Sequence, residues 1–383
     1  MRRSRVLLAA PVALVVTLLL TTVAGCSGTT GSATSAENPS AGPPASSAVD
    51  SGCVAAVAAL APRARLAQLL MVGVDPTDPA AAVERVRTWQ VGGIFIGGDS
   101  TKLLVNGALG PVQAVAKVPV AVAVDEEGGR VQRVDALDGS IPSARQMSVN
   151  MTPAEVRTLA LSRGRALKAR GVTVDLAPVV DVGNQPADDV IGDRSFGADP
   201  ATVSRFAGAF AAGLRDAGVL PVLKHFPGHG QATGDSHQGK VTTPALAALK
   251  ADDLRPYEDL IGAGPVGVMV GHLDVPGLTG GEPATISPAA YELLRGQYRH
   301  SGLVLTDDLG AMKAISDRYD LPDAVVKALA AGADVALWSS GDRIGEVLNA
   351  MEAAVSSGKL PAERVDASVR RILAAKGACG PPS

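Results

Sequence analysis

Eight short runs of apolar residues recur along the chain, and within each run the apolar positions are consecutive rather than alternating. Uninterrupted apolar runs of this length are typical of parallel strands that are covered on both faces. The runs are 69–74, 93–98, 118–125, 172–182, 219–228, 266–273, 302–308 and 333–340. The hydrophobic pattern therefore predicts eight buried β-strands.

Helical patterns separate most of these runs. Residues 152–171 begin with the capping-box sequence Thr-Pro-x-Glu, place apolar residues at helical spacing and end in glycine. Residues 199–218, which precede the fifth apolar run, likewise begin with a capping residue and a proline, place apolar residues at helical spacing and end in glycine. Eight strand-and-helix units in succession favour an α/β fold, a single (β/α)8 TIM-type barrel, over the alternative of an open doubly wound sheet.

Polar side chains collect at the carboxyl ends of five of the predicted strands. They are Asp125, Asp181, Lys224 with His225, His272, and Asp307 with Asp308. Barrel enzymes carry their active sites at this end of the strands. We therefore expect an active site there, and the shared location of the charges supports the barrel.

Composition narrows the class of partner. The net charge is −3, so nothing in the electrostatics indicates nucleic-acid binding, and we expect no nucleic acid as a partner. Aromatic residues make up only 3% of the chain, which argues against a large aromatic sugar-binding platform. We expect a monomer.

The first residues indicate export rather than a folded segment. Three arginines precede an apolar run that ends in small residues at Val23–Cys26, the outline of a signal peptide over residues 1–25. The sequence "VAGC" resembles the lipobox of bacterial lipoproteins, which implies lipid modification of Cys26. The alternatives are an ordinary signal peptide and a single transmembrane anchor.

Residues 26–52 are rich in Ser, Gly, Pro, Ala and Thr, and we expect a disordered linker before a catalytic domain over 53–383.

Two further cysteines, Cys53 and Cys379, stand near the two ends of the predicted domain. An exported protein meets an oxidising environment, in which paired cysteines are the usual outcome. The first and last elements of a closed barrel are neighbours, so the two thiols are able to meet. We expect a disulfide between them, with two separate thiols as the alternative.

The segment "KHFPGHGQATGDSH", residues 224–237, holds three of the five histidines. The proline after His225 excludes the helical i, i+4 pairing of a zinc site with His229, and the glycines do not open onto a helix as in a phosphate cradle. A metal site in the loop is an alternative, but we expect no metal and no cofactor. The spacing of Asp235 and His237 instead favours a carboxylate that orients an imidazole for proton transfer.

Two other motifs carry weaker signals alone. "TDDLGAM" places Asp307 and Asp308 together at a strand end, where strand geometry turns only one of them towards the barrel mouth. "VDEEGGRVQR" combines Asp125 with Arg130 and Arg133 around a Gly-Gly turn, and an aspartate with an arginine is suited to binding sugar hydroxyls.

Taken together, these motifs and "DRSFG" at 193–197 resemble glycoside hydrolase family 3, and more narrowly its single-barrel β-N-acetylglucosaminidase branch, over residues 66–376. The resemblance implies a retaining mechanism through a covalent glycosyl-enzyme. It implies Asp307 as the nucleophile and His237 as the acid/base, assisted by Asp235. The residues that it implies for binding N-acetylglucosamine are Asp125, Arg133, Arg194, Lys224 and His225. One departure is Glu126, where many relatives have glutamine.

The resemblance also distinguishes between branches. Family β-glucosidases take their acid from a glutamate on a second domain, and the 75 or so residues after Asp307 are needed for the last strand and helix. We therefore expect a histidine acid/base.

The expected function is removal of terminal β-linked N-acetylglucosamine from cell-wall-derived amino sugars, the muropeptides, at the outer face of the cytoplasmic membrane. A β-N-acetylglucosaminide phosphorylase and a non-catalytic sugar-binding lipoprotein are the alternatives.

Overall fold

A computed structural model describes residues 45–380, and for residues 45–51 it describes the backbone alone. The predicted signal peptide, the lipidation of Cys26 and most of the predicted linker lie outside the described residues. The described part begins with a helix at Ala45, seven residues inside the range that the sequence assigned to the linker. None of the described helices is long and apolar enough to cross a membrane.

Ten strands form the sheet structure of the domain. They are β1 Leu70–Gly73, β2 Gly93–Phe95, β3 Ala121–Val124, β4 Val174–Asp175, β5 Leu220–Phe226, β6 Val241–Thr242, β7 Gly267–Val270, β8 Leu273–Asp274, β9 Val304–Thr306 and β10 Ala336–Trp338. Eight of them pair in parallel in the order β10-β1-β2-β3-β4-β5-β7-β9. A parallel bridge between Leu305 and Val335 connects the two remaining edges. The prediction of a (β/α)8 barrel is therefore confirmed, and each of the eight apolar runs contains one barrel strand.

Within residues 45–380, fifteen α-helices accompany the strands. They are α1 Ala45–Ala58, α2 Pro62–Gln68, α3 Pro79–Trp89, α4 Leu109–Ala114, α5 Asp135–Asp138, α6 Ala144–Asn150, α7 Pro153–Ala169, α8 Pro200–Asp216, α9 Leu246–Ala251, α10 Arg255–Leu260, α11 Pro288–Glu292, α12 Lys313–Ser316, α13 Leu321–Ala331, α14 Ile344–Ser356 and α15 Ala362–Ala375. Short 3-10 helices cover Lys102–Leu104, Gly192–Arg194 and Ala284–Ile286, and a π-helix covers Leu293–Gln297.

Local sequence explains where the long helices begin. Thr152 and Glu155 form the predicted capping box at the start of α7, and the Asp199 carboxylate accepts the N–H of Thr202 at the start of α8. The two helices then pack side by side on the sheet, where Gly213 allows α8 to approach the backbone of α7 closely. Their buried faces join one core with the barrel strands.

Residues of α1 and α15, the first and last described helices, lie at the end of the barrel where the strands begin. Cys53 and Cys379 form the predicted disulfide, with their Cα atoms 4.5 Å apart. Cys53 lies inside α1, and Cys379 lies four residues after the end of α15. Helices α1 and α2 both pack on α15, so the disulfide joins the first and last helices of the described domain.

Candidate active site

The carboxyl ends of the barrel strands surround a cavity of about 390 Å³. It gathers every residue for which sugar binding, nucleophilic attack or proton transfer was predicted, apart from Asp235, which contacts a lining residue. The predicted residues in the lining are Asp125, Arg133, Arg194, Lys224, His225, His237 and Asp307. These residues come from four separate segments of the chain, and the parallel barrel brings them together.

One wall of the cavity is a network of charged side chains. The Lys224 ammonium lies 2.7 Å from Oδ1 of Asp125 and 2.6 Å from Oε1 of Glu127. Arg133 approaches the other oxygen of Asp125 at 3.8 Å. Burial lowers the pKa of Lys224, but the two carboxylates raise it more, so its pKa lies above the ordinary value and the side chain is a cation. The wall therefore presents fixed charges of both signs to a polar ligand.

Glu127 also binds Arg194 through two parallel hydrogen bonds, of 2.7 and 2.8 Å. Burial raises the pKa of Glu127, but Arg194 and Lys224 lower it more, and the net pKa is well below its usual range. Bidentate pairing of this kind fixes the plane of a guanidinium. Glu127 therefore sets the positions of two cations that were predicted to hold the sugar.

The sequence prediction did not include Glu127 in the site. A usable signal was present, because Asp125 and Glu127 are two residues apart at a strand end and alternate residues point the same way. Glu126 between them is fully buried on the other side, where its Oε2 accepts the backbone N–H groups of Arg133 and Val134. The residue that departs from the family pattern therefore supports the turn that carries Arg133.

Asp181 organises the start of the histidine-rich loop. Its Oδ1 accepts the backbone N–H groups of His225 and His229, and its Oδ2 lies 2.7 Å from Nδ1 of His225. Burial raises the pKa of Asp181, but His225 lowers it more, so the carboxylate is ionised. An ionised carboxylate only accepts hydrogen bonds, so Nδ1 of His225 carries the proton and Nε2 remains available to a ligand in the cavity.

His229 lines the same cavity and is only 4% exposed. Among the described residues, neither of its ring nitrogens has a hydrogen-bond partner. Desolvation lowers its pKa, so the ring is neutral. The structure therefore adds a neutral imidazole to the site.

The two adjacent aspartates after β9 differ in their surroundings. Both oxygens of Asp308 accept backbone N–H groups, from Gly310 and Ala311 on one side and from Ser339 on the other. Asp307 accepts one hydrogen bond, from the N–H of Asp308, and both aspartates line the cavity. Asp308 therefore braces the strand-end turn, and Asp307 keeps carboxylate oxygen free for a reaction.

Asp307 is buried yet ionised. Burial raises its pKa, but His225 and His272 lower it more, and the net pKa lies below the ordinary value of an aspartate. A buried carboxylate without a bidentate cation partner, held next to a sugar-sized cavity, is suited to nucleophilic attack.

His237 lies across the cavity rim on the loop formed by residues 227–240. Its Nδ1 and its backbone N both lie 2.9 Å from Oδ1 of Asp235. Burial raises the pKa of Asp235, but the hydrogen bonds from His237 lower it more. Asp235 is therefore an acceptor, and Nδ1 of His237 is the donor. This contact fixes the tautomer with the proton on Nδ1 and leaves Nε2 available for proton transfer.

The loop is attached to its surroundings at both ends. At its start, Gly228 has φ +133°, and a Cβ atom there would lie 2.3 Å from the Cβ of Asp253. At its end, the loop continues into β6. This strand pairs in parallel with β8, the short strand that follows β7 in the chain. Between these points, the carbonyl of Ser236 accepts the N–H of Ala314, which follows β9 and Asp307 in the chain. The segment with His237 is therefore held against the segment with Asp307.

A model of the glycosyl hydrolase family 3 N-terminal domain matches residues 62–375. The chain belongs to glycosyl hydrolase family 3. It is therefore a glycoside hydrolase, as the motifs predicted. No group of three or more His, Cys, Asp or Glu side chains suited to holding a metal occurs within residues 45–380.

Relatives within the family are similar over most of their length. Beta-hexosaminidase LpqI of Mycobacterium tuberculosis (strain ATCC 25618 / H37Rv) is 54% identical over 84% of both chains. A solved family 3 glycosyl hydrolase of Mycobacterium smegmatis str. MC2 155 has a TM-score of 0.82 at 56% identity, over 85% of this chain and 99% of that one.

A more distant structural relative is a family 3 β-N-acetylglucosaminidase from Paenibacillus sp. str. FPU-7. It has a TM-score of 0.78 at 33% identity. The similarity covers 84% of this chain and 63% of that one.

Proposed function

We propose that the chain is a retaining exo-β-N-acetylglucosaminidase that releases terminal β-linked N-acetylglucosamine through a covalent glycosyl-enzyme. The coarser activity, that of a β-N-acetylhexosaminidase, is supported by family membership and by the beta-hexosaminidase relatives. The observation that carries the finer proposal is the presence of Asp307 and His237 in the lining of one cavity. The first is an ionised carboxylate and the second is an imidazole with a fixed tautomer.

Each residue has a role in a two-step displacement. The Asp307 carboxylate attacks the anomeric carbon while His237, protonated at both ring nitrogens, donates the Nε2 proton to the departing glycosidic oxygen. His237 is left as the neutral tautomer with its proton on Nδ1, hydrogen-bonded to Asp235. The sugar is then held as an ester of Asp307. In the second step, Nε2 of His237 accepts a proton from water, and the resulting hydroxide displaces Asp307 with net retention of configuration.

The charged wall suits recognition of one sugar unit. Asp125 provides acceptors, and Lys224, Arg133 and Arg194 provide donors, so neighbouring hydroxyl groups find partners in fixed positions. A cavity of about 390 Å³ lies at the lower end of the range for small-molecule sites, which fits a single terminal unit.

The proposed natural substrates are peptidoglycan fragments in which N-acetylglucosamine is β-linked to a muramic acid unit. The proposed location is the outer face of the cytoplasmic membrane, with a lipid anchor at Cys26. Both proposals are supported by the order of charged, apolar and small residues in 1–26. Mass spectrometry of the mature N-terminus checks the anchor, because a diacylated Cys26 is expected and an unmodified N-terminus contradicts it.

The activity is tested by product analysis on defined muropeptides. Free N-acetylglucosamine with initial β-configuration is the expected product, formed at equal rates with and without phosphate. Formation of a sugar 1-phosphate that requires phosphate indicates the phosphorylase instead. Binding without any turnover indicates a sugar-binding lipoprotein.

A further inference from the structure

A second cavity, of about 170 Å³, lies at the opposite end of the barrel from the active site. Its lining includes residues from the starts of β2, β3, β4 and β5, and residues just before β9 and β10. Most of its walls are apolar. The proposed hydrolase mechanism uses no residue of this cavity.

One amine enters this cavity from α15. Nζ of Lys376 donates to the side-chain oxygen of Gln68 over 2.9 Å. Nε2 of Gln68 is itself held by the carbonyl of Gln90, which fixes the amide so that its oxygen faces the lysine. The partner that the structure shows for Lys376 is therefore a neutral oxygen in a fixed position.

Within the part of the chain that the structure describes, no carboxylate lines the cavity. Desolvation lowers the pKa of Lys376 to about 7. The share of neutral amine at neutral pH is therefore well above that of an ordinary lysine, for which it is on the order of 10⁻³. A neutral amine is a nucleophile, whereas an ammonium group is not.

The geometry points to Lys376 as a carbamylation site that captures carbon dioxide from the barrel-base cavity. Carbon dioxide is small, uncharged and apolar, and it matches an apolar space of this size. The lone pair of Nζ attacks its carbon and forms the N–C bond. One C=O bonding pair moves onto oxygen, and one proton of Nζ passes to water. The product is a carbamate anion, and no oxidant or leaving group is required.

The surrounding residues fit the product. Nζ of the carbamate keeps one N–H, which continues to donate to the oxygen of Gln68. The new negative charge needs a cation, and Lys168 of α7 contributes the second ammonium-bearing side chain to the lining. The carbamate would thereby join α15 to α7 across the barrel base.

The experiment uses the full-length protein in buffer equilibrated with ¹³C-labelled carbon dioxide and bicarbonate at pH 7. Carbamates are trapped by O-alkylation with triethyloxonium ion and located by peptide mass spectrometry. Lys359, an exposed residue after α14, is the internal reference within the same molecules. We expect occupancy at Lys376 to exceed that at Lys359 by at least about tenfold, because of the difference in neutral fraction.

Two variants complete the test. Lys376→Arg should abolish the ¹³C carbamate signal of the folded protein, because a guanidinium does not react. Lys168→Met changes an exposed side chain and should reduce occupancy at Lys376 severalfold. Equal trapping at Lys376 and Lys359 in the wild-type protein overturns the proposal, whatever the variants do. Unchanged occupancy in Lys168→Met overturns the assigned role of Lys168.

Discussion

Oδ1 of Asp235 accepts hydrogen bonds from both the backbone N–H and Nδ1 of His237, each over 2.9 Å. The imidazole is therefore oriented by its own loop before any substrate arrives. Since Nδ1 is committed to this bond, the proposed mechanism assigns proton exchange with the substrate to Nε2.

His237→Ala should consequently slow the two substrate types unequally. General acid-base help is typically worth about 10²–10⁴-fold, and natural disaccharides with a poor leaving group should lose most of it. Aryl glycosides with an acidic phenol need little protonation, so their first step should persist and the glycosyl-enzyme should accumulate. Rapid-quench kinetics on both substrates measures this. Equal slowing of both types contradicts the role of His237.

Glu127→Gln should weaken substrate binding although the residue was not predicted to touch the sugar. The substitution removes the negative charge of Glu127 from a buried ion-pair network. Lys224 and Arg194 each lose a carboxylate partner. The misplaced cations should lower kcat/KM by roughly 10²-fold, which corresponds to about 2.7 kcal/mol of transition-state binding. Steady-state kinetics should show most of this as a higher KM. The exposed Glu363→Gln is the matched control and should leave both parameters unchanged.

Removal of the disulfide should reduce stability and spare activity. Cys53 and Cys379 close a loop of 326 residues, and loss of a native disulfide typically costs roughly 2–5 kcal/mol. Cys53 lines a groove with residues that precede β5, β7 and β9, at the opposite end from the active site. The double Cys→Ser variant should therefore unfold at lower temperature with kcat unchanged. An unaltered unfolding temperature after verified reduction of the wild-type protein argues against this contribution.

Asp253, beneath the histidine loop, should make stability fall as pH rises. Burial, together with the charge of Asp181, raises its pKa to about 7 from an ordinary value of 3.8. The folded state thus binds more protons than the unfolded state between these values, so stability decreases with pH across that window. At about 1.4 kcal/mol per pH unit, the loss approaches 4 kcal/mol above pH 7.

Asp253→Asn tests this relation, because an amide does not titrate. From pH 4 to pH 7, the free energy of unfolding of the wild type should fall relative to that of the variant. Above pH 7 the difference between the two should stay constant. Chemical denaturation at several pH values measures it. The exposed Asp323→Asn is the control. A difference that is independent of pH contradicts the raised pKa.

The sequence predicted the barrel well because continuous apolar runs carry a strong signal. It predicted strand lengths less well, and the run 172–182 contains only a two-residue strand, β4. Pro178 within that run has no backbone N–H to donate to a neighbouring strand. Tertiary pairing, rather than hydrophobicity, decides where such a strand ends.

For the candidate site too, the sequence predicted some features well and could not predict others. Charged strand ends and family motifs identified the residues of the cavity, because a parallel barrel gathers such ends at one face. The sequence could not identify the partner of Arg194, since Glu127 is 67 positions away and only the fold makes them neighbours. It likewise left the choice between Asp307 and Asp308 to the resemblance. The structure supplies a physical reason, because Asp308 is saturated with backbone N–H donors.

The central claim is that Asp307 forms a covalent bond with the sugar, and trapping that bond tests it most directly. A slow-turnover fluorosugar derivative of N-acetylglucosamine is incubated with the enzyme, and the labelled peptide is sequenced by mass spectrometry. We predict one label per molecule, on Asp307, and no label in Asp307→Ala. A label on Asp308 would contradict the assignment, and release of product with inverted configuration and no labelled peptide would contradict the covalent mechanism itself.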